Sequence, residues 1–292
     1  MFKCIILCIT LISFCSLQGM SVRDSVRVDS KEELLSLAQD PSALQIKKLY
    51  CLGHFYSDGL PFELSRFSNL EELSVAVNHL TEIPDYFADF KKLKTLDLSA
   101  NYLSDLEKIF DILGSITTLE TLELANNGIK VVPENLSKLT NLRNLDLGLN
   151  GIVNLPEGIK SLTKLSSLYL GVNPIDFYSI NRTICDMPNL NRLDLGDCKL
   201  KEWPPNLHCL SNVTELNLSR NNFTEIPKEI AVLTCLEALY ITDTKIQYID
   251  SAIADLKKLW LFILARSTKL KKEEVDVLRS LMPNCTFIGY PE

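Results

Sequence analysis

The chain has 292 residues, 46% hydrophobic and 23% charged, a balance that excludes an intrinsically disordered polymer and suits a folded soluble protein. Its net charge of −7, with a pI near 5.2 and no basic stripe, argues against nucleic acid as a partner, because neutralising phosphates takes clustered Lys and Arg.

Residues 1–20, "MFKCIILCITLISFCSLQGM", carry one early cation, Lys3, then an apolar run from Cys4 to Phe14, then small or polar residues. That order predicts a secretory signal peptide cleaved between Cys15 and Gly19. Ser16, Gln18 and Gly19 interrupt the run short of the roughly 20 apolar residues that a transmembrane anchor needs, so none is expected. Acylation of Cys15 is the alternative, although bulky Phe14 stands where lipoprotein sites prefer a small residue. Next, "DSKEELLSLAQD" offers Ser30 as N-cap with Glu33 three residues on, which predicts a helix over 30–38 inside an N-terminal cap spanning 21–45.

From Ile46 the pattern L-x-x-L-x-L-x-x-N-x-L recurs, starting again at Leu70, Leu93, Leu119, Leu142, Leu165, Leu190, Val213, Leu236 and Leu259. The ten repeats are 24, 23, 26, 23, 23, 25, 23, 23 and 23 residues apart and fill 46–270. One such unit cannot bury its own apolar edge, whereas a stack shares one core. Fourth and sixth positions alternate inward, as in Leu96/Leu98, Leu122/Leu124, Leu145/Leu147 and Leu193/Leu195, giving a short strand. Asn at the ninth position (Asn78, Asn101, Asn127, Asn150, Asn173, Asn221) falls where the chain turns away, its amide free to satisfy backbone groups. Cys198 and Thr244 replace it in two repeats. The longer repeats predict fuller helical turns in "DLEKIFDILGSI" and "YSINRTICDM". At the end, "KKEEVDVLRSLMP" reads as a helix over 272–281 and "CTFIG" as a last strand, together a C-terminal cap over 271–292.

The segments "EIPDYFADFKKL", "VVPENLSKLTNL", "NLPEGIKSLTKL", "EWPPNLHCLSNV" and "EIPKEIAVLTCL" complete a unit that resembles the 23-residue L/I-P-x-x-I/L leucine-rich repeat class, with caps like those of secreted bacterial members. The resemblance implies an α/β fold: a right-handed solenoid with a parallel concave sheet, a helical or 3-10 convex side, and protein binding on the concave face.

No chemical constellation competes with that expectation. The phosphate loop, G-x-G-x-x-G, H-E-x-x-H, G-x-S-x-G and C-x-x-C are all absent, and the three histidines, His54, His79 and His208, are scattered. Neither cofactor nor metal is expected, and no enzyme activity. Cys51 reads as core; Cys185 and Cys209 fall five and four residues before consecutive repeat starts, near enough for a disulfide. Sequons at Asn135, Asn181, Asn212, Asn217, Asn222 and Asn284 read as chance products of an Asn-rich repeat.

Outward positions of the sheet are the third, fifth and seventh. The fifth-position column runs Tyr50, Ser74, Asp97, Glu123, Asp146, Tyr169, Asp194, Asn217, Tyr240 and Ile263. Its carboxylates suit a basic partner, its tyrosines suit binding anchors, and the seventh position is small from the second repeat to the eighth: Ala76, Ser99, Ala125, Gly148, Gly171, Gly196, Ser219. The candidate site is therefore Asp97, Glu123, Asp146, Tyr169, Asp194, Asn217 and Tyr240. The function read from the chain is a non-catalytic, secreted or surface module that engages another protein. A structural or adhesive envelope component, and a carbohydrate or lipid binder, are the alternatives. Intact-mass analysis of protein recovered outside the cytoplasm should find residues 1 to about 19 missing; a retained Met1 would sink the signal assignment.

Overall fold

The computed structural model describes residues 24–53, 56, 58–204, 206–265 and 270–289; the expected signal segment, with Cys15, and His54 lie outside them. Chain order runs β1 (Ser25–Val28), β2 (Lys48–Cys51), β3 (Glu72–Ser74), β4 (Thr95–Asp97), β5 (Thr121–Glu123), β6 (Asn144–Asp146) and β7 (Ser167–Tyr169). It continues with β8 (Arg192–Asp194), β9 (Glu215–Asn217), β10 (Glu225–Ile226), β11 (Ala238–Tyr240), β12 (Tyr248–Ile249), β13 (Leu261–Ile263) and β14 (Thr286–Ile288). Twelve of these form one open parallel sheet in sequence order, while β10 and β12 pair with each other. The strands exist because their central leucines, from Leu73 and Leu96 to Leu216 and Leu239, are buried against the sixth-position Leu98, Leu124, Leu147, Leu170 and Leu195. This is the leucine-rich repeat solenoid that the period implies.

The ninth-position asparagines knit neighbouring turns. Asn150 donates from Nδ2 to the carbonyls of Leu124 (3.1 Å), Leu147 (2.9 Å) and Gly148 (3.0 Å), and its Oδ1 accepts from the amides of Asn127 (3.0 Å) and Ile129 (3.0 Å). Asn101 and Asn221 repeat that pattern. Cys198 keeps half of it: its Sγ donates to the Leu170 carbonyl at 3.3 Å, but a thiol accepts poorly. The amide of Ile175, which would have used that acceptor, turns to the Asn173 carbonyl at 2.9 Å instead.

The residue before each of these positions is left-handed. Val77, Ala100, Asn126, Leu149, Val172, Asp197, Arg220 and Asp243 all have φ between 54° and 61°. That conformation is costly for a branched side chain, so the turn is imposed by the stacked repeats rather than by local preference.

On the convex side, Pro84, Pro133, Pro156 and Pro227 each precede a 3-10 turn, and the proline carbonyl accepts the amide three residues on, from Phe87, Leu136, Ile159 and Ile230. Those four side chains are buried. Helix α1 (Lys31–Gln39) starts at Ser30, whose side chain accepts from the Glu33 amide. In the longer repeats the turn becomes α2 (Leu106–Leu113), capped by Asp105, and α3 (Phe177–Ile184), capped by Asp176. Helix α4 (Lys272–Leu281) and β14 close the chain's end.

One feature extends the sequence reading. β1 joins the sheet beside β2, although nothing in "SVRV" carries the leucine pattern. Past the last repeat, α4 packs on the turn at Ser251–Asp255, and β14 pairs with β13 at the sheet edge. Cys185 and Cys209 form a disulfide, with Cα atoms 4.3 Å apart, that ties α3 to the next repeat. Asn181 is buried and its Nδ2 donates to the Asn206 carbonyl, which excludes a glycan there.

Truncating Leu147, fully buried, to alanine should cost about 2 to 5 kcal/mol of unfolding free energy. Asn150→Ala should cost about 1 to 3 kcal/mol by leaving the amides of Asn127 and Ile129 unpaired. Urea titrations of both variants decide it; losses under about half a kcal/mol at both sites would contradict the shared ladder and core.

Candidate functional site

The fifth-position column is real in three dimensions. Cα pairing across the sheet runs through Tyr50, Ser74, Asp97, Glu123, Asp146, Tyr169, Asp194, Asn217, Tyr240 and Ile263 without a slip. Arg27 and Ile288 extend it at the two ends, and these the repeat pattern could not reveal, since neither lies in a segment that carries the leucine pattern.

Short polar residues of the column cap the backbone beneath them. Asp97 accepts from the amide of Ser99 (2.9 Å), Asp146 from Gly148 (2.8 Å), Asp194 from Gly196 (2.8 Å), and Asn217 from Ser219 (3.0 Å). Asp97 also accepts from Ser74 Oγ at 2.7 Å and Asp194 from Asn217 Nδ2 at 2.9 Å. The cations pair on the flanking columns: Lys48 with Glu72 (2.9 Å), Lys94 with Glu71 (2.7 Å), Arg143 with Glu120 (3.6 Å), Arg192 with Glu215 (3.3 Å). Among the described residues, no cation pairs with Asp97, Glu123, Asp146 or Asp194.

Those carboxylates are half-buried and mutually repulsive. Burial, reinforced by Asp97, Asp146 and Glu72, pushes the Glu123 carboxyl up to about 7. Burial also raises Asp146, against the lowering effect of its bond from the Gly148 amide. The three tyrosines differ. Tyr50 donates to Glu72 at 2.5 Å and Tyr240 to Glu215 at 3.3 Å, whereas the Tyr169 hydroxyl has no partner among the described residues. Beside Tyr169 the floor is glycine, and a Cβ built at Gly171 would stand 3.3 Å from Asp194 Oδ1 and from the Gly196 carbonyl oxygen.

Elsewhere the groups with chemical potential are dispersed. His79 is exposed beside Tyr102, with ring centroids 5.3 Å apart, and His208 is exposed in the turn Leu207–Leu210. Cys51 and Cys198 are buried thiols, and Cys235 and Cys285 are half-buried ones. No group of three or more His, Cys, Asp or Glu side chains is placed to hold a metal among the described residues. None of the described helices is long and apolar enough to cross a membrane.

Family models agree with this geometry. Residues 68–110 match Leucine Rich repeats (2 copies), 117–175 match Leucine rich repeat, and 212–233 match Leucine Rich Repeat. The chain is a leucine-rich repeat protein, of a class whose members are generally non-catalytic protein-binding modules. Within that class it resembles bacterial members. An internalin, InlF of Listeria monocytogenes, is 27% identical with a TM-score of 0.64, over 84% of this chain and 67% of that one. A leucine-rich repeat protein of Leptospira interrogans shares the fold at 20% identity and a TM-score of 0.52, over 90% of this chain and 88% of its own. The mouse leucine-rich repeat and calponin homology domain-containing protein 2 is 38% identical over 61 residues, 21% of this chain. The match spans only 8% of that relative's length.

Because the Glu123 carboxyl sits near 7 when folded, against an ordinary 4.5, folding takes up a proton between those values. The stability this protonation brings is complete below about 4.5 and is lost as pH rises through about 7. Glu123→Gln should therefore raise unfolding free energy by about 1 to 3 kcal/mol at pH 8 and change it little at pH 4.5. Denaturant melts at both pH values check this; a gap that does not widen with pH would remove the desolvated carboxylate from the account.

Proposed function

We propose that this protein is an exported, non-catalytic binding module whose concave column, Asp97, Glu123, Asp146, Tyr169, Asp194, Asn217 and Tyr240, engages a basic region of another protein. The observation that carries the reading is a line of four half-buried carboxylates in one register with no cation of the chain's own to pair them, while the neighbouring columns are laced with ion pairs. Leaving such charges unpaired costs stability, and a partner's Lys or Arg would repay it. Tyr169, untied and flanked by glycine, supplies an aromatic anchor with space around it. Export is supported by the apolar run from Cys4 to Phe14 and by the likeness to an internalin. In this reading the repeats over 46–270 act as one unit between the caps at 21–45 and 271–292.

Proteins retained from cell and host extracts by the wild-type protein can be compared with those retained by three variants. Tyr169→Ala should weaken the specific partner by about 1 to 3 kcal/mol, a hot-spot loss. Asp146→Asn removes a charge while keeping an acceptor for the Gly148 amide. Its effect should shrink as salt shortens the Debye length from about 10 Å at 0.1 M to about 3 Å at 1 M. Lys160→Ala, on the convex side in ion pairs with Glu157 and Asp186, should leave binding unchanged. Loss of the partner in the convex variant alone would overturn the concave site.

A further inference from the structure

The seventh-position amides of the sheet follow a rule with two exceptions. From β3 to β11 these amides are capped at Ala76, Ser99, Gly148, Gly196, Ser219 and Thr242, in each case by a short side chain of the columns. Ala125 and Gly171 are not: their N–H groups find no acceptor among the described residues. At Ala76, Ser99, Gly148, Gly196 and Ser219 the cap is the fifth-position Ser, Asp or Asn, which accepts from the amide two residues on, as in an Asx turn. Thr242, two residues after Tyr240, is capped instead by Ser219 Oγ of the preceding repeat. Glu123 is one methylene too long and Tyr169 has no acceptor in reach, and among the described residues no neighbouring hydroxyl takes their place. The two bare donors are therefore on the face that carries the unpaired carboxylates, one beside Glu123 and one beside Tyr169.

We propose that this face docks the main chain of a basic peptide in polyproline II conformation, two of whose carbonyl oxygens, three residues apart, accept from the amides of Ala125 and Gly171. This rests on the concave reading above and specifies its partner. Ala125 and Gly171 follow β5 and β7, two strands apart, so their amides stand about 9.6 Å from each other. A polyproline II chain repeats every three residues with a rise of about 3.1 Å each, about 9.3 Å per turn, so successive carbonyls on one face match that gap. A β-strand presents like-facing carbonyls about 6.7 Å apart and does not. Polyproline II has no internal hydrogen bonds, so its carbonyls are free, and aromatic side chains are its usual rests. Charge selects the sequence: Asp146 lies between the two donors and Asp97 and Asp194 outside them, so one Lys or Arg per turn meets a carboxylate. Glycine at position 171 puts no side chain beside that amide, and a Cβ there would stand 3.3 Å from Asp194 Oδ1.

The rule supplies its own test variants, each adding a cap the fold already uses elsewhere. Glu123→Asp keeps the charge but covers the Ala125 amide; Tyr169→Asn covers the Gly171 amide, and Tyr169→Ala removes the same ring without covering it. The probe is an acetylated, amidated peptide of four Pro-Pro-Lys triplets, titrated into the full protein by fluorescence anisotropy, with a Pro-Pro-Glu peptide as control. Nitrogen–proton correlation spectra follow the amides. Saturable binding of the lysine peptide is expected, with Ala125 and Gly171 amide protons shifting downfield while those of Gly148 and Gly196 stay. Glu123→Asp should weaken binding about fivefold, and Tyr169→Asn about fivefold more than Tyr169→Ala, the worth of one hydrogen bond. Far-ultraviolet circular dichroism of each variant should be unchanged. No binding, equal binding of the glutamate peptide, or silence of both capping variants would overturn the proposal. If those variants are silent while Asp146→Asn still loses the protein partner, the concave site stands and the amide docking falls.

Discussion

Each repeat of this chain is too small to hold itself together, and the carboxamide at its ninth position is what makes the repeats one object. A single side chain such as Asn150 donates to carbonyls of its own and the preceding repeat and accepts two amides from that preceding repeat. At most of these positions, Asn78, Asn101, Asn127, Asn173 and Asn221, the side chain is buried, so the carboxamide satisfies backbone groups that water would otherwise have to reach. The same bonds hold the preceding residue in a left-handed conformation, even where it is Val77 or Val172. Stability of the turn is thus a property of the stack, as expected for a quasi-one-dimensional array.

That constraint explains where the molecule carries its chemistry. With the inner face committed to leucine and the turn committed to asparagine, only the outward positions of each short strand remain free to vary. Their side chains stand in columns one strand apart, so a choice in one repeat acts on its neighbours 23 residues away. The flanking columns use this to alternate charge, as Lys47, Glu71 and Lys94 do. The central column does the opposite, placing Asp97, Glu123 and Asp146 in line, and the resulting desolvation and repulsion hold the Glu123 carboxyl near neutrality. A fold built for stability alone has no reason to arrange charge that way.

Much of the architecture was legible because the period is written in large residues. Leucine spacing identified the strands, Ser30 with Glu33 marked the first helix, and the residue count between starts showed where α2 and α3 would replace a 3-10 turn. The pairing of Cys185 with Cys209 followed from their places before consecutive repeats. Strand β1 was not legible, because Val28 is the only residue of "SVRV" that is fully buried and no leucine marks it. Nor were the left-handed residues, whose identities, valine and leucine among them, contradict the conformation they adopt.

By itself the sequence determined the fold, the register and the membership of the concave column, since a strict period assigns every residue to a face. Which members of that column are satisfied was decided only by tertiary structure. Tyr50 and Tyr240 find glutamates on neighbouring strands and Tyr169 does not; Asp146 and Asp194 cover the amides beneath them and Glu123 leaves its own bare. The physical reason is reach: hydrogen bonding depends on ångström distances between side chains from different repeats and on burial by the stack, and neither is encoded in any single repeat.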